Sequence, residues 1–209
     1  MGVFVVKARQ RLGSAISYIV LLGFLAIGTA CSVDNMYPTL NYSPPCRSGG
    51  YEQGAWYCMT DGRDVRYWYH GSISLGDVGS IEQALHGSFG TTILGVSLDA
   101  NPTFSGAGQT DIIYIEGAGV PSSWYGMTYC THALTSTVCD QHYVRFRTGL
   151  AVQRSHACHE TGHAVGLTHG HDAYPNISNL APELRCLRNP NPGDIGLGSF
   201  NADQIDAAY

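Results

Sequence analysis

Lysine is almost missing from this 209-residue chain. Lys7 is the only one, and charged residues make up only 13% of the whole. Past residue 30 there are eight arginines against sixteen acidic residues, about −8 formally. Such a balance excludes binding nucleic acid through its phosphates, which needs clustered positive charge. Internal repeats, heptad runs and low-complexity tracts are also missing, which excludes solenoids and coiled coils. The one long apolar run, AISYIVLLGFLAI at 15–27, falls short of the ~20 residues that span a bilayer. Methionine is scarce, with none after Met127. The length fits one domain once a leader is set aside.

The leader is legible. Lys7, Arg9 and Arg11 precede the apolar run, and Gly28-Thr29-Ala30 supplies small residues for a cut. We expect a signal peptide over 1–30 and export of the rest. Cys31 follows directly, where a bacterial lipoprotein carries its lipidated cysteine, although Gly28 stands where that pattern prefers leucine. A secreted protein and one lipid-anchored at Cys31 are therefore both open, and the anchor would be its only membrane contact. Cysteine parity bears on this. Removing Cys31 leaves six of seven cysteines, an even number suited to disulfides in an exported chain. Six allow 15 connectivities. The local set Cys46–Cys58, Cys130–Cys139 and Cys158–Cys186 is the expectation. Sequence says nothing about oligomeric state.

Residues 31–62 have no period and carry Pro38, Pro44, Pro45, Gly49, Gly50 and Gly54, which reads as a coil-rich arm. The domain proper is expected over 63–209. DVRYWYHG (64–71) alternates as a strand does. In 77–89, Val78, Ile81 and Leu85 have helical spacing. Strands are expected at 92–98, 111–116, 124–130 and 142–147, with Val144 and Phe146 on the face opposite Arg145 and Arg147. A second helix should start near 148–150 and stop at Gly166. A proline-bearing loop covers 170–198. Asn201, with Gln204 three residues on, reads as the cap of a terminal helix. The order implies an α+β fold with helices on a twisted, mostly parallel sheet.

The chemistry is concentrated in CHETGHAVGLTHGH at 158–171. On a helix, His159 and His163 lie on one face, a turn apart. One zinc ion can then meet both imidazoles at about 2.0–2.1 Å. Glu160 beside them is surplus as a ligand and suits a general base acting on water at the metal. Gly166 can take a left-handed conformation and turn the chain, which brings His169 back as a third ligand. Three ligands with an open position mark a catalytic rather than a structural zinc. His171 and Asp172 are alternative third ligands.

The run from His159 to His169 resembles the metzincin zinc peptidases, and the order of elements over 65–209 is similar to the matrixin-like branch. The resemblance implies a zinc endopeptidase acting on protein or peptide substrates, with ligands His159, His163 and His169, base Glu160, and a cleft between an upper sheet and an irregular lower part. The clan has a methionine turn beneath the zinc. Here Leu187, in Cys186-Leu187-Arg188-Asn189-Pro190, is the expected substitute, being apolar and of similar volume. A Cys158–Cys186 bridge would fasten that loop to the zinc helix. The arm lacks the free-cysteine switch of matrixin prodomains. By analogy Ca²⁺ or a second zinc could bind, with Asp111 and the 99–111 loop as weak candidates. Two other functions remain: a catalytically silent binding domain of the same fold, and a zinc hydrolase of a non-peptide amide.

Overall fold

The computed structural model describes residues 32–49, 56–193 and 195–209. The leader, Cys31 and part of the arm lie outside the described residues. Among the described residues the sheet has six strands: β1 (Met59–Thr60), β2 (Asp64–Tyr69), β3 (Gly95–Leu98), β4 (Ile112–Gly117), β5 (Gly126–Ala133) and β6 (Val138–Arg147). Their order is β1-β6-β4-β2-β3, with all neighbours parallel, and β5 adds antiparallel to β6. Helices α1 (Leu75–Gly87), α2 (Arg154–Ala164) and α3 (Ser199–Ala208) complete the α+β fold. The sheet is mostly parallel, as expected, and it begins at Met59, before residue 63. Among the described residues no helix is long and apolar enough to cross a membrane.

Alternation builds the core. Val65 and Tyr67 of β2, Ile112 and Tyr114 of β4, and Val144 and Phe146 of β6 point inward and are buried, as period-2 side chains must on one face of a sheet. Ile81 and Leu85 of α1 meet them, while Val78 stays half-buried. Arg145 and Arg147 take the other face, and Arg145 donates to the Ala118 carbonyl at 3.2 Å. Helix α1 starts two residues earlier than its apolar spacing suggests, because Ser74 caps it: its hydroxyl accepts from the Asp77 amide at 3.2 Å and so satisfies one of the free N–H groups of the first turn.

Three local expectations are corrected by tertiary contacts. The strands run further into the segment between Cys130 and Cys139 than expected, β5 to Ala133 and β6 from Val138. A tight turn closes β5 onto β6, with Thr135 Oγ1 accepting from the amides of Thr137 (3.1 Å) and Val138 (3.0 Å). Helix α2 starts at Arg154, later than 148–150. Gly149 is left-handed (φ 73°), its amide goes to Glu116 Oε1, and Val152 donates to Asp77 Oδ1 at 2.7 Å, so this stretch is spent anchoring the lead-in. Asn201 is not a cap, since α3 begins at Ser199 after Gly198. Its side chain is buried, accepting from Asn35 Nδ2 (2.9 Å) and donating to the Leu184 carbonyl (2.8 Å). The capping pattern was a coincidence of spacing.

All three expected disulfides are present: Cys46–Cys58, Cys130–Cys139 and Cys158–Cys186. The described part of the arm before β1 is coil, yet it is woven into the rest. Met36 bridges Leu167, and Asp34 bridges Tyr174. Thr168 donates to the Asn35 carbonyl at 2.8 Å and Tyr37 to that of Gly166 at 2.8 Å. A second small core of Tyr37, Cys46, Tyr57, Cys58, Cys130 and Cys139 backs it.

Candidate metal centre

Helix α2 lies against β5 and β6. Thr161 shares a hydrogen bond with Tyr114 at 2.7 Å in the buried interior, which fixes the rotation of the helix. His159 and His163 then project one turn apart into a cleft. The helix ends at a glycine, as expected. Gly166 has φ 93°, its amide donates to the His163 carbonyl (3.2 Å), and Leu167 donates to Gly162 (2.8 Å). These two bonds make a Schellman end. A Cβ at Gly166 would also press on Met59 and Met36, 3.1 and 3.2 Å away. The reversed chain delivers His169.

The three imidazoles converge. His159 Nε2 lies 3.0 Å from His163 Nε2 and 3.1 Å from His169 Nε2. Among the described residues this is the group of three that can hold a metal ion. His171 and Asp172, the alternatives in sequence, are not in it.

Hydrogen-bond accounting tests whether an ion fits. His159 Nδ1 sits 2.7 Å from the Cys186 carbonyl, and His163 Nδ1 sits 2.8 Å from that of Leu167. A carbonyl only accepts, so each Nδ1 carries the proton. Burial pushes His159 down to about 4, His169 to about 3, and His163 well below its ordinary value, so these rings are neutral. A neutral ring protonated at Nδ1 has a bare lone pair at Nε2. Lone pairs facing one another at 3.0 Å repel unless a cation lies among them. The donor set, three neutral imidazole nitrogens, suits zinc.

Glu160 points into the same cleft and is buried. Burial raises its carboxyl to about 7, against the lowering effect of Thr128. The Thr128 hydroxyl donates to Glu160 Oε2 at 2.9 Å and faces the Glu160 carbonyl at 2.8 Å. Gly126 is required beside it: a Cβ there would come within 3.0 Å of Glu160 Cγ. Beneath the helix, Leu187 is fully buried, with both methyls 3.0 Å from where a Gly162 Cβ would stand. Gly162 lies between the two helical histidines. Exposed aromatics line the cleft mouth, with Trp56 and Trp124 edge-to-face at 5.6 Å and Tyr125 stacked on His156 at 4.1 Å.

At the loop named for a second metal, Asp111 and two loop carbonyls are engaged by Arg66. Arg66 donates to the carbonyls of Gly108 (3.0 Å) and Gln109 (2.8 Å), and its own amide donates to Asp111 Oδ2 at 2.6 Å. The guanidinium thus supplies the positive charge for the 99–111 loop.

Sequence reasoning missed Tyr57, Thr128 and Gly126. Each belongs to an element remote from the motif, and nothing in its own neighbourhood marks it.

No protein-family model matches the chain, and no curated protein matches it. Among solved structures it is similar to High choriolytic enzyme 1, a hatching enzyme zinc-protease from the medaka fish Oryzias latipes. The match has 17% identity over 60% of this chain and 55% of that one, with a TM-score of 0.37. The chain thus spans about half the length of that protein.

Proposed function

We propose that the chain is a secreted zinc endopeptidase of the metzincin type, matrixin-like in its order of elements. Residues 1–30 are its signal peptide, 31–62 its arm and 63–209 its catalytic domain. The observation that carries the reading is the convergence of three Nε2 lone pairs in a cleft that also holds a buried carboxyl. His159, His163 and His169 are the ligands, and Glu160 is the base. Bound zinc supplies Lewis acidity, which makes water acidic near neutral pH and polarises a carbonyl. Glu160 accepts the proton of the attacking water and passes it to the leaving amine. Thr128 holds one of the Glu160 carboxylate oxygens in place. The three disulfides fit an oxidising compartment.

The test separates chemistry from scaffold. Glu160→Ala should keep about one zinc per chain while peptide hydrolysis falls by roughly 10²–10⁴-fold, the usual range for a general base. His163→Ala should lose the metal. Zinc by mass spectrometry and cleavage of casein with and without chelator are the measurements. A wild type that holds zinc and cleaves nothing would favour the silent domain, and hydrolysis only of non-peptide amides would favour the other hydrolase.

A further inference from the structure

The three histidines are not oriented alike. His159 and His163 each give their Nδ1 proton to a backbone carbonyl, which nothing short of refolding can change. His169 has a side chain instead. Its Nδ1 lies 3.1 Å from the hydroxyl of Tyr57, which comes from the arm. That hydroxyl is also 3.1 Å from Asp172 Oδ2. A phenol has one proton, and a carboxylate oxygen only accepts. The proton therefore goes to Asp172, and the phenol oxygen is left to accept from His169 Nδ1–H. This turns the Nε2 lone pair of His169 towards the other two. The Tyr57 ring also packs 4.7 Å from His163 and 5.7 Å from His169, centroid to centroid. It is buried and is followed directly by the Cys46–Cys58 bridge.

We propose that Tyr57 and Asp172 are a positioning pair that fixes His169 in its metal-binding tautomer and so sets the zinc affinity of the site. Asp172 thus acts behind His169 rather than on the metal. The proposal rests on the triad holding zinc, not on the peptidase chemistry.

A mutant cycle read by zinc affinity, from competition with a chromophoric chelator on the disulfide-intact protein, tests it. Tyr57→Phe keeps the packed ring and removes only the oxygen, and affinity should fall 10–100-fold, as it does when such outer partners of metal-bound histidines are removed. Asp172→Ala should also weaken binding, because the freed phenol proton turns to His169 Nδ1 and favours the wrong tautomer. The double variant should be no weaker than Tyr57→Phe alone, since Asp172 acts only through the hydroxyl. Purely structural roles would instead add. Thermal unfolding of the metal-free variants should stay near wild type. A Tyr57→Phe affinity within twofold of wild type would overturn the proposal, and so would full additivity in the cycle. Wild type that binds zinc, responds to Tyr57→Phe and cleaves no peptide would remove the peptidase reading alone. Peptide cleavage with unchanged Tyr57→Phe affinity would remove the positioning pair alone.

Discussion

Helix α2 and the arm both bring residues to the histidine cluster, but they hold them by different means. The helix places His159 and His163 by its own period, and Gly166 ends it by local hydrogen bonds. The arm has no period. Tyr57 reaches His169 across 112 positions of sequence, and it is kept there by Cys46–Cys58, by isolated bridges to Leu167 and Tyr174 and by a small aromatic core. Short-range order is carried by backbone geometry and survives most side-chain changes. Long-range order depends on a few cross-links and contacts, so it is easier to break one at a time.

The disulfides test that difference most strongly. Replacing both Cys158 and Cys186 by serine opens a link of sequence separation 28 and should cost about 3–4 kcal/mol in denaturant unfolding, on the chain-entropy account. Replacing Cys46 and Cys58 opens a separation of 12 and should cost about 3 kcal/mol. The second pair should lower zinc affinity as well, because Tyr57 loses its tether. Unchanged zinc affinity in that variant would show that the arm is held without its bridge.

Acid gives the next largest effect. His142, fully buried on β6, is pushed from 6.5 to about 3 by burial, which outweighs the help of the Cys58 backbone. It stays neutral in the fold, whereas the unfolded chain takes up a proton below 6.5. Stability must therefore fall as pH drops from about 6.5 towards 3. At pH 5 this one group should remove about 2 kcal/mol. In zinc-free protein, His142→Gln should flatten the slope of unfolding free energy against pH over that window. An unaltered slope would assign the acid sensitivity elsewhere.

The smallest effect belongs to the floor of the helix. Leu187→Met conserves volume against Gly162 and should cost under ~1.5 kcal/mol while leaving zinc content unchanged. A larger loss in thermal unfolding would mean that the branched side chain is needed at that contact.

Much of the site was legible because its information is local. The spacing of His159 and His163, the glycine stop and the return to His169 all lie within eleven residues, and the triad forms as that spacing implies. The strand expected at 64–71 and found at Asp64–Tyr69 was legible for the same reason, through alternation. The ends of elements were less so. Arg154 starts α2 because Asp77 and Glu116 hold the residues before it, and Asn201 misled because its amide serves Asn35 and Leu184.

The residues alone thus imply three histidines drawn together, a carboxyl beside them and the α+β order of elements, since each follows from a repeat of 3.6 or 2 residues and from one left-handed glycine. The closure of the whole chain is what brings a tyrosine from the arm to the third histidine, Thr128 and Gly126 to Glu160, and Arg66 to the 99–111 loop. These are meetings of side chains separated by 32 to 112 positions. Proximity at such range depends on how the sheet, its crossovers and its disulfides close, and no local period carries that information.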